Sequence, residues 1–254
     1  MEQTNSETGT EPVLTKKEQK AIKREEREAE RNRRIRSRNL KKNLKRGIIL
    51  AIVVFAVIGI GKMMQQSAAT SAVVATESMI IKTDDWVKGS TESPVVLVEY
   101  LDFECEACGA YYPLVKRISE EYGDKVTFVT RYFPLPGHQN SMTSALAVEA
   151  AGRQGKYWEM HDLLFEEQKN WGERPAADPA IFEEYAKQLG LDMERFAQDI
   201  DSEEVRDRII RDRDEGNRLG VNGTPSFFLN GNKIDNPRGY EAFIALLEGA
   251  LQEY

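Results

Sequence analysis

The chain contains only two cysteines, Cys105 and Cys108, and they follow shortly after a run of apolar residues. That run, residues 95–101, is rich in β-branched side chains and predicts a strand buried on both faces of a sheet. From Cys105 to Tyr122 the apolar residues recur at helical spacing. The cysteine pair therefore marks the junction of a buried strand with a helix, which constrains the chain to an α/β plan.

The residues beyond this junction continue to alternate between strands and helices. A second strand is predicted at 126–133, and residues 139–220 show helical spacing with breaks at 152–155, 172–179 and 190. A late hairpin and a closing helix complete the plan, at 226–229, 233–234 and 239–251. We expect an α/β fold with a helical insertion at about 139–220.

The charge of the chain is unevenly distributed. The net charge of −7 divides into +7 on residues 1–46, with 15 Lys and Arg against 8 Asp and Glu, and −14 on the remainder. A basic arm beside an acidic body indicates two environments, and nucleic acid or a membrane surface could attract the arm. The segment that follows the arm favours the membrane, and we expect no binding of nucleic acid.

An uncharged stretch of apolar residues and glycine, residues 47–61, follows the basic arm. With Lys62 reaching the interface, residues 47–64 form a short transmembrane span, since a span needs about 20 residues. A cleaved signal peptide with a small-residue site at 67–69 is the alternative, although a charged region of 46 residues before it is long. A buried core helix is disfavoured because no amphipathic partner pattern surrounds the stretch.

The charges that flank the predicted span set its orientation. Nine basic and no acidic residues lie between positions 31 and 46, so the N-terminus is expected in the cytoplasm and the folded domain outside the cell membrane. The expected parts are a basic, partly disordered cytoplasmic arm at 1–46, a single anchor in contact with lipids at 47–64, a linker at 65–78 and the folded domain at 79–254.

The position of Cys105 at a helix start has a chemical consequence. Free backbone N–H groups and the positive end of the helix dipole favour a thiolate there, and the thiolate is the nucleophile in disulfide exchange. Cys108, one turn further on, can attack a mixed disulfide at Cys105 and release the partner. A structural disulfide is a weaker interpretation, because so short a loop restricts the unfolded chain by only about 2 kcal/mol. A zinc site with His138 and His161 is also disfavoured by their spacing.

Glu99 lies inside the apolar run, where a carboxylate is costly unless something compensates for its burial. It could stand at a sheet margin and reach water, or it could be buried with a pKa raised by desolvation. The remaining candidates receive structural interpretations. Phe165 and Trp171 are expected in the core of the insertion. His161 is expected to be either packed or exposed, and His138 is given no role.

Three motifs together resemble the DsbA-like branch of the thioredoxin superfamily, in particular its membrane-anchored members. They are the run 95–103 that leads into Cys105-Glu106-Ala107-Cys108, then Arg131-Tyr132-Phe133-Pro134-Leu135, then the segment 220–227 with Thr224-Pro225 at its centre. The resemblance covers about 79–254, and the helical block is similar to the insertion of that branch. It implies a thioredoxin-like fold and a protein thiol–disulfide oxidoreductase without cofactor or metal.

The resemblance also implies roles for individual residues. Cys105 and Cys108 are the reactive pair, and Thr224 with a cis Pro225 binds the substrate strand beside them. Glu99 matches a buried carboxylate beneath the active-site helix, near Cys108, that accepts and returns a proton.

One departure from the family's pattern bears on the direction of exchange. The best-known strong oxidants of the family carry Pro-His between the cysteines, whereas this chain has Glu106-Ala107. Glu104 and Glu106 are expected to oppose a thiolate, each by about 1 kcal/mol or less, and a less stabilised thiolate makes a weaker oxidant. The expected function is still to introduce disulfides into exported cysteine-containing proteins, with a membrane redox partner that recycles the pair. A reductase, an isomerase, or a tethered binding module with a static disulfide are the alternatives.

Overall fold

The computed structural model describes residues 80–172 and 179–254, together with scattered residues between 23 and 62. The described residues of the basic arm, between 23 and 38, are helical, with ion pairs four residues apart such as Arg24–Glu28. Apart from Phe55 and Lys62, the predicted anchor, cleavage site and linker lie outside the described residues. Within the described part of the chain, no helix has the length and apolar character needed to cross a membrane.

The domain is built on a mixed sheet of five strands in the order β1-β3-β2-β4-β5. The strands are Trp86–Gly89 (β1), Val96–Leu101 (β2), Thr127–Tyr132 (β3), Ser226–Leu229 (β4) and Asn232–Ile234 (β5). β2 and β3 are parallel, and the other pairs are antiparallel. Because β2 lies at the centre of the sheet, all six of its residues are buried, as its apolar sequence predicts.

Eight helices are described around this sheet. They are Glu106–Tyr122 (α1), Ser141–Gly152 (α2), Tyr157–Glu166 (α3), Gln168–Trp171 (α4), Ala180–Gln188 (α5), Met193–Ile200 (α6), Glu203–Arg218 (α7) and Tyr240–Leu251 (α8). The six helices α2 to α7 lie between β3 and β4 in the chain, so the predicted helical insertion is confirmed. The predicted breaks at 152–155 and 190 occur, whereas most of the break predicted at 172–179 lies outside the described residues. Two further breaks, at Glu167 and at Asp201–Ser202, were not predicted.

Side chains cover both faces of the sheet. On one face Leu97 and Phe227 pack with Ile118 of α1 and Phe243 of α8. On the opposite face Val98 and other strand residues pack with Leu219 and Val221, which follow α7. A third cluster forms the core of the insertion and extends to Cys105 and Cys108. Phe165 and the fully buried Trp171 belong to this third cluster, so their predicted place in the insertion core is confirmed.

A buried ionic network holds the segment that precedes β1. The guanidinium of Arg131 on β3 donates hydrogen bonds to the Asp85 carboxylate at 2.8 Å, to the Glu215 carboxylate at 2.7 Å and to the Ile80 carbonyl at 2.6 Å. Arg208 on α7 binds the carbonyl oxygen of Asp84. The entry of the chain into the domain is therefore fixed by two arginines that belong to β3 and α7.

Candidate active site

Cys105 is the N-cap residue of α1, with an extended backbone at φ −66° and ψ 118°. Its N–H donates to the Asp102 carbonyl at 3.1 Å, and its own carbonyl accepts the N–H of Gly109 at 3.0 Å. Both cysteines are free thiols and both are buried, but Cys105 keeps 7% of its surface exposed against 1% for Cys108. The predicted position of Cys105 at a strand-to-helix junction is confirmed, and Cys105 is the more accessible of the two thiols.

The surroundings of Cys105 favour its thiolate. The pKa of Cys105 is lowered to about 5, mainly by a hydrogen bond from the Cys108 thiol. Burial of the sulfur opposes this shift. Hydrogen bonds from Thr224 and from the N–H groups of Cys108 and Ala107 lower the pKa further. Exposed N–H groups at a helix start act in this way. That the thiolate is less stabilised than in the strong oxidants of the family stays a prediction. The Glu104 carboxylate accepts hydrogen bonds from the backbone and side chain of Asn140, at 2.6 and 3.1 Å.

Cys108 has the opposite character. Burial, the hydrogen bond to Cys105 and the charges of Cys105 and Glu99 all raise its pKa well above the usual value for a thiol. One thiol of the pair is therefore ionised at neutral pH and the other keeps its proton, as a nucleophile and a resolving thiol require.

Glu99 lies on β2 between Thr130 of β3 and Phe227 of β4, with 8% of its surface exposed. The alternative that it stands at a sheet margin is wrong, because β2 is the central strand. Burial raises the pKa of Glu99 to about 8. The carboxyl group lines a small cavity beneath α1, which offers about 30 Å³ to the centres of water molecules. That volume admits one or two waters, since one needs roughly 10–15 Å³.

The Thr224–Pro225 peptide bond is cis, as the resemblance implies. The Thr224 carbonyl oxygen lies 3.3 Å from the Cys105 sulfur. The Pro225 carbonyl accepts a hydrogen bond from the Asn236 side chain at 2.8 Å. The segment before β4 therefore meets the first turn of α1 at the reactive thiol.

Several residues that support the site carry no sequence signal of their own. Gln168, from the short helix α4, donates to the carbonyls of Phe103 and Cys105 at 2.7 and 2.9 Å. Asp102 has a fully buried side chain that binds the ring of His138 at 2.7 Å. Their partners are 36 or more residues away in the chain, so only the folded arrangement brings them together.

The two histidines lie in separate environments, His138 against Asp102 and His161 against Asp162. His161 is buried among aromatic rings and stacks edge-on against Phe103 at 5.5 Å, so of the two expected outcomes, packing or exposure, the structure shows packing. In the described ranges 80–172 and 179–254, no three His, Cys, Asp or Glu side chains are grouped as a metal ion requires.

Residues 82–249 match the family model described as thioredoxin. The chain belongs to the thioredoxin family. Among solved structures, the domain is similar to alpha-DsbA1 of Wolbachia pipientis, with a TM-score of 0.64 and 21% identity over 70% of this chain and 96% of that one. It is also similar to a thioredoxin-like oxidoreductase from Silicibacter pomeroyi, with a TM-score of 0.58 and 27% identity over 67% of this chain and 94% of that one. The thioredoxin domain is a thiol–disulfide oxidoreductase with a DsbA-like fold.

Curated relatives of this thioredoxin domain include Na(+)/H(+) antiporters named NhaA. One from Salinispora tropica is 39% identical over 167 residues, which is 65% of this chain and 24% of the antiporter. Another, from Mycolicibacterium vanbaalenii, is 35% identical over 169 residues, 65% of this chain and 26% of the antiporter. The chain thus spans about a quarter of the length of the curated relatives it matches.

Proposed function

We propose that this thioredoxin domain introduces disulfide bonds into exported proteins, with Cys105 as the nucleophile and Cys108 as the resolving thiol. The observation that carries the proposal is the opposite ionisation of the two thiols at the start of α1, with the pKa of Cys105 lowered to about 5 and that of Cys108 raised. The better leaving group in a mixed disulfide is the sulfur with the lower thiol pKa. A client held on Cys105 is therefore released readily with its own disulfide formed.

The exchange proceeds in two balanced steps. A client thiolate attacks the Cys105 sulfur of the oxidised pair, a client–Cys105 bond forms, and Cys108 leaves with the electron pair of the broken bond. A second client thiolate then attacks the client sulfur, which forms the client disulfide and releases the Cys105 thiolate. The client loses two electrons and the cysteine pair gains them, and a membrane redox partner is required to withdraw them.

Glu99 supplies the proton that the first step needs. Cys108 leaves as a thiolate although its buried surroundings favour the thiol, so a nearby acid accelerates the step. With a pKa of about 8, the Glu99 carboxyl is largely protonated at neutral pH and can donate to Cys108. In the reverse direction the carboxylate takes the proton back as Cys108 attacks.

The acidity of Cys105 favours oxidation of clients over their reduction. The pKa of Cys105, about 5, lies two units below pH 7, so the thiolate is more stable than the thiol by roughly 2.7 kcal/mol at that pH. An ordinary thiol stays protonated at pH 7 and gains no such stabilisation. For a two-electron couple this makes the disulfide more oxidising by about 60 mV. The substrate strand is proposed to lie along Thr224 and Pro225, whose backbone borders the Cys105 sulfur.

The proposed location is the outer side of the cell membrane, with the N-terminus cytoplasmic and residues 47–64 as a single anchor among lipids. The basic residues before that segment support this orientation. The relatives named as Na(+)/H(+) antiporters add support, because in them a similar domain belongs to the same chain as an ion transporter. Exported cysteine-containing proteins are then the accessible clients.

The Cys108→Ala variant tests the assignment of the two thiols. It should accumulate mixed disulfides between Cys105 and clients, because no second thiol remains to resolve them. The matched Cys105→Ala variant should accumulate few. Adducts that require Cys108 instead would reverse the assignment, and a wild-type pair that neither oxidises a dithiol peptide nor equilibrates with glutathione would indicate a static disulfide. A pair that only reduces insulin would indicate a reductase.

A further inference from the structure

A buried carboxylate beside the reactive turn binds a histidine from a distant loop. The Asp102 side chain is fully buried and accepts the N–H of Glu104 at 2.9 Å and of Leu135 at 3.0 Å. Its third contact is the Nδ1 atom of His138, at 2.7 Å, in a turn where the His138 N–H donates to the Leu135 carbonyl at 3.1 Å. Asp102 therefore fixes the ring of His138 next to the segment 102–105.

Asp102 is also joined to both cysteines through its backbone. Its carbonyl oxygen accepts the N–H of Cys105 at 3.1 Å, and its backbone hydrogen-bonds the Cys108 thiol. The ring of His138 is thus held by the residue whose backbone binds the N–H of Cys105 and the thiol of Cys108. Its side chain keeps 31% of its surface exposed, so it can exchange a proton with water.

The acidic groups that face His138 favour its protonated form. Partial burial alone would lower the pKa of His138, but the hydrogen bond and charge of Asp102, with the charges of Glu104 and Cys105, raise it. The Cys105 thiolate and the His138 imidazolium therefore stabilise one another, as neighbouring groups of opposite charge do.

The residues adjacent to Cys105 in the sequence bring no positive charge that could add to these hydrogen bonds. Glu106 and Ala107 stand between the two cysteines, and Glu104 precedes them, so the residues adjacent to Cys105 bring negative charge only. We propose that His138, held by Asp102, is the cation that stabilises the Cys105 thiolate, and is a positioning residue that acts on the exchange reaction through Cys105. This inference rests on the proposed function and adds a residue to it.

A pH dependence follows from the pair. Between the ionisation of Cys105 and the deprotonation of His138, both charges are present and the thiolate is at its most stable. Above the pKa of His138 the imidazole is neutral, its contribution is lost, and the domain becomes a weaker oxidant.

Reciprocal titrations in the full reduced chain test this inference. His138→Asn keeps an N–H donor for Asp102 but removes the charge, and it should lower the ratio of Cys105 thiolate to thiol by up to about fivefold at a given pH, measured by thiolate absorbance. The equilibrium with glutathione should shift by up to about fivefold toward the Cys105–Cys108 disulfide. Lys187→Gln, which removes an exposed positive charge on α5, should change neither quantity.

The reverse measurement uses the histidine as the reporter. The chain has two histidines, so the His138 ring is readily followed by NMR. Cys105→Ser should lower the pKa of His138 by the same amount by which His138→Asn raises that of Cys105, because coupling between two titrating sites is reciprocal. A wild-type thiolate titration in His138→Asn, or an unchanged His138 titration in Cys105→Ser, would overturn the inference. Both titrations can be interpreted whether or not the domain oxidises clients. The trapping of mixed disulfides tests the oxidation of clients separately.

Discussion

Replacement of Glu99 by glutamine should stabilise the protein in a manner that depends on pH. Glutamine has the shape of a protonated glutamate but cannot ionise, so it removes the free energy that keeps the buried carboxyl protonated. Burial raises the pKa of Glu99 from 4.5 to about 8. Because the folded state then binds more protons than the unfolded state between these two values, wild-type stability falls as pH rises through that window.

The size of the effect follows from the same two values. At or below pH 4.5 Glu99→Gln and wild type should be equally stable. Between pH 4.5 and 8 the advantage of the variant should grow by about 1.4 kcal/mol per pH unit, to roughly 3 kcal/mol at pH 7. For a domain of this size, that corresponds to an increase in Tm of about 6–12 °C.

Urea unfolding of the full reduced chain at pH 4, 5.5, 7 and 8 measures this difference directly. Glu120→Gln, an exposed position on the same helix that covers Glu99, serves as the control and should stay within about 0.5 kcal/mol of wild type at every pH. A Glu99→Gln difference that does not change with pH would refute the argument, because it would show that the carboxyl titrates alike in both states. In stopped-flow experiments in the reductive direction, the variant should slow the attack of Cys108 on the mixed disulfide more than the attack of Cys105 on a client disulfide, and this defect should shrink at high pH where Cys108 ionises unaided.

Two further predictions concern packing and topology. Gly109→Ala should destabilise the domain by about 1–3 kcal/mol in thermal unfolding. An added Cβ would lie 2.2 Å from the side-chain oxygen of Gln168, so the Gln168 side chain would have to move and lose its two hydrogen bonds to the reactive turn. Gly249→Ala, on α8 with no atom within 4 Å of the new Cβ, should instead stabilise by about 0.5–1 kcal/mol, and equal effects of the two would contradict this account. A membrane-impermeant thiol reagent applied to intact reduced cells should label Cys105, and labelling that requires lysis would exclude the proposed orientation.

Elements with a strong periodic pattern were predictable from the sequence to within one or two residues. The central strand β2, the helix α1 that starts after Cys105, and the hairpin of β4 and β5 lie where their patterns place them. β1 was not predicted, because its four residues Trp86–Gly89 include Lys88 and Gly89 and show no alternation of their own. Its conformation comes from antiparallel pairing with β3 at the sheet edge.

The reactive pair and the burial of Glu99 follow from local patterns, whereas the supporting contacts do not. The sequence could not show that Glu104 binds Asn140, or that Asp102 binds His138, since each pair joins loops 36 residues apart. Both contacts change the electrostatic prediction. Asn140 binds the carboxylate of Glu104, which was expected to oppose the thiolate, and Asp102 raises the pKa of His138, which was given no role. The pKa of Cys105 is lowered mainly by Cys108, inside its own motif, and the contribution of Thr224, 119 residues away, is the part that the motif does not determine.

The ionic network before β1 has a mechanical consequence. A pull on the chain from its N-terminal side reaches Ile80 and Asp85 first, and their contacts with the buried guanidinium of Arg131 pass the load into β3. Removing one partner of such a buried pair costs about 3–5 kcal/mol, so the network resists peeling of the edge strand β1. Tension applied to the chain before Ile80 is therefore borne by the middle of the sheet and by α7. A force applied at this end of the domain therefore does not distort the turn that carries Cys105.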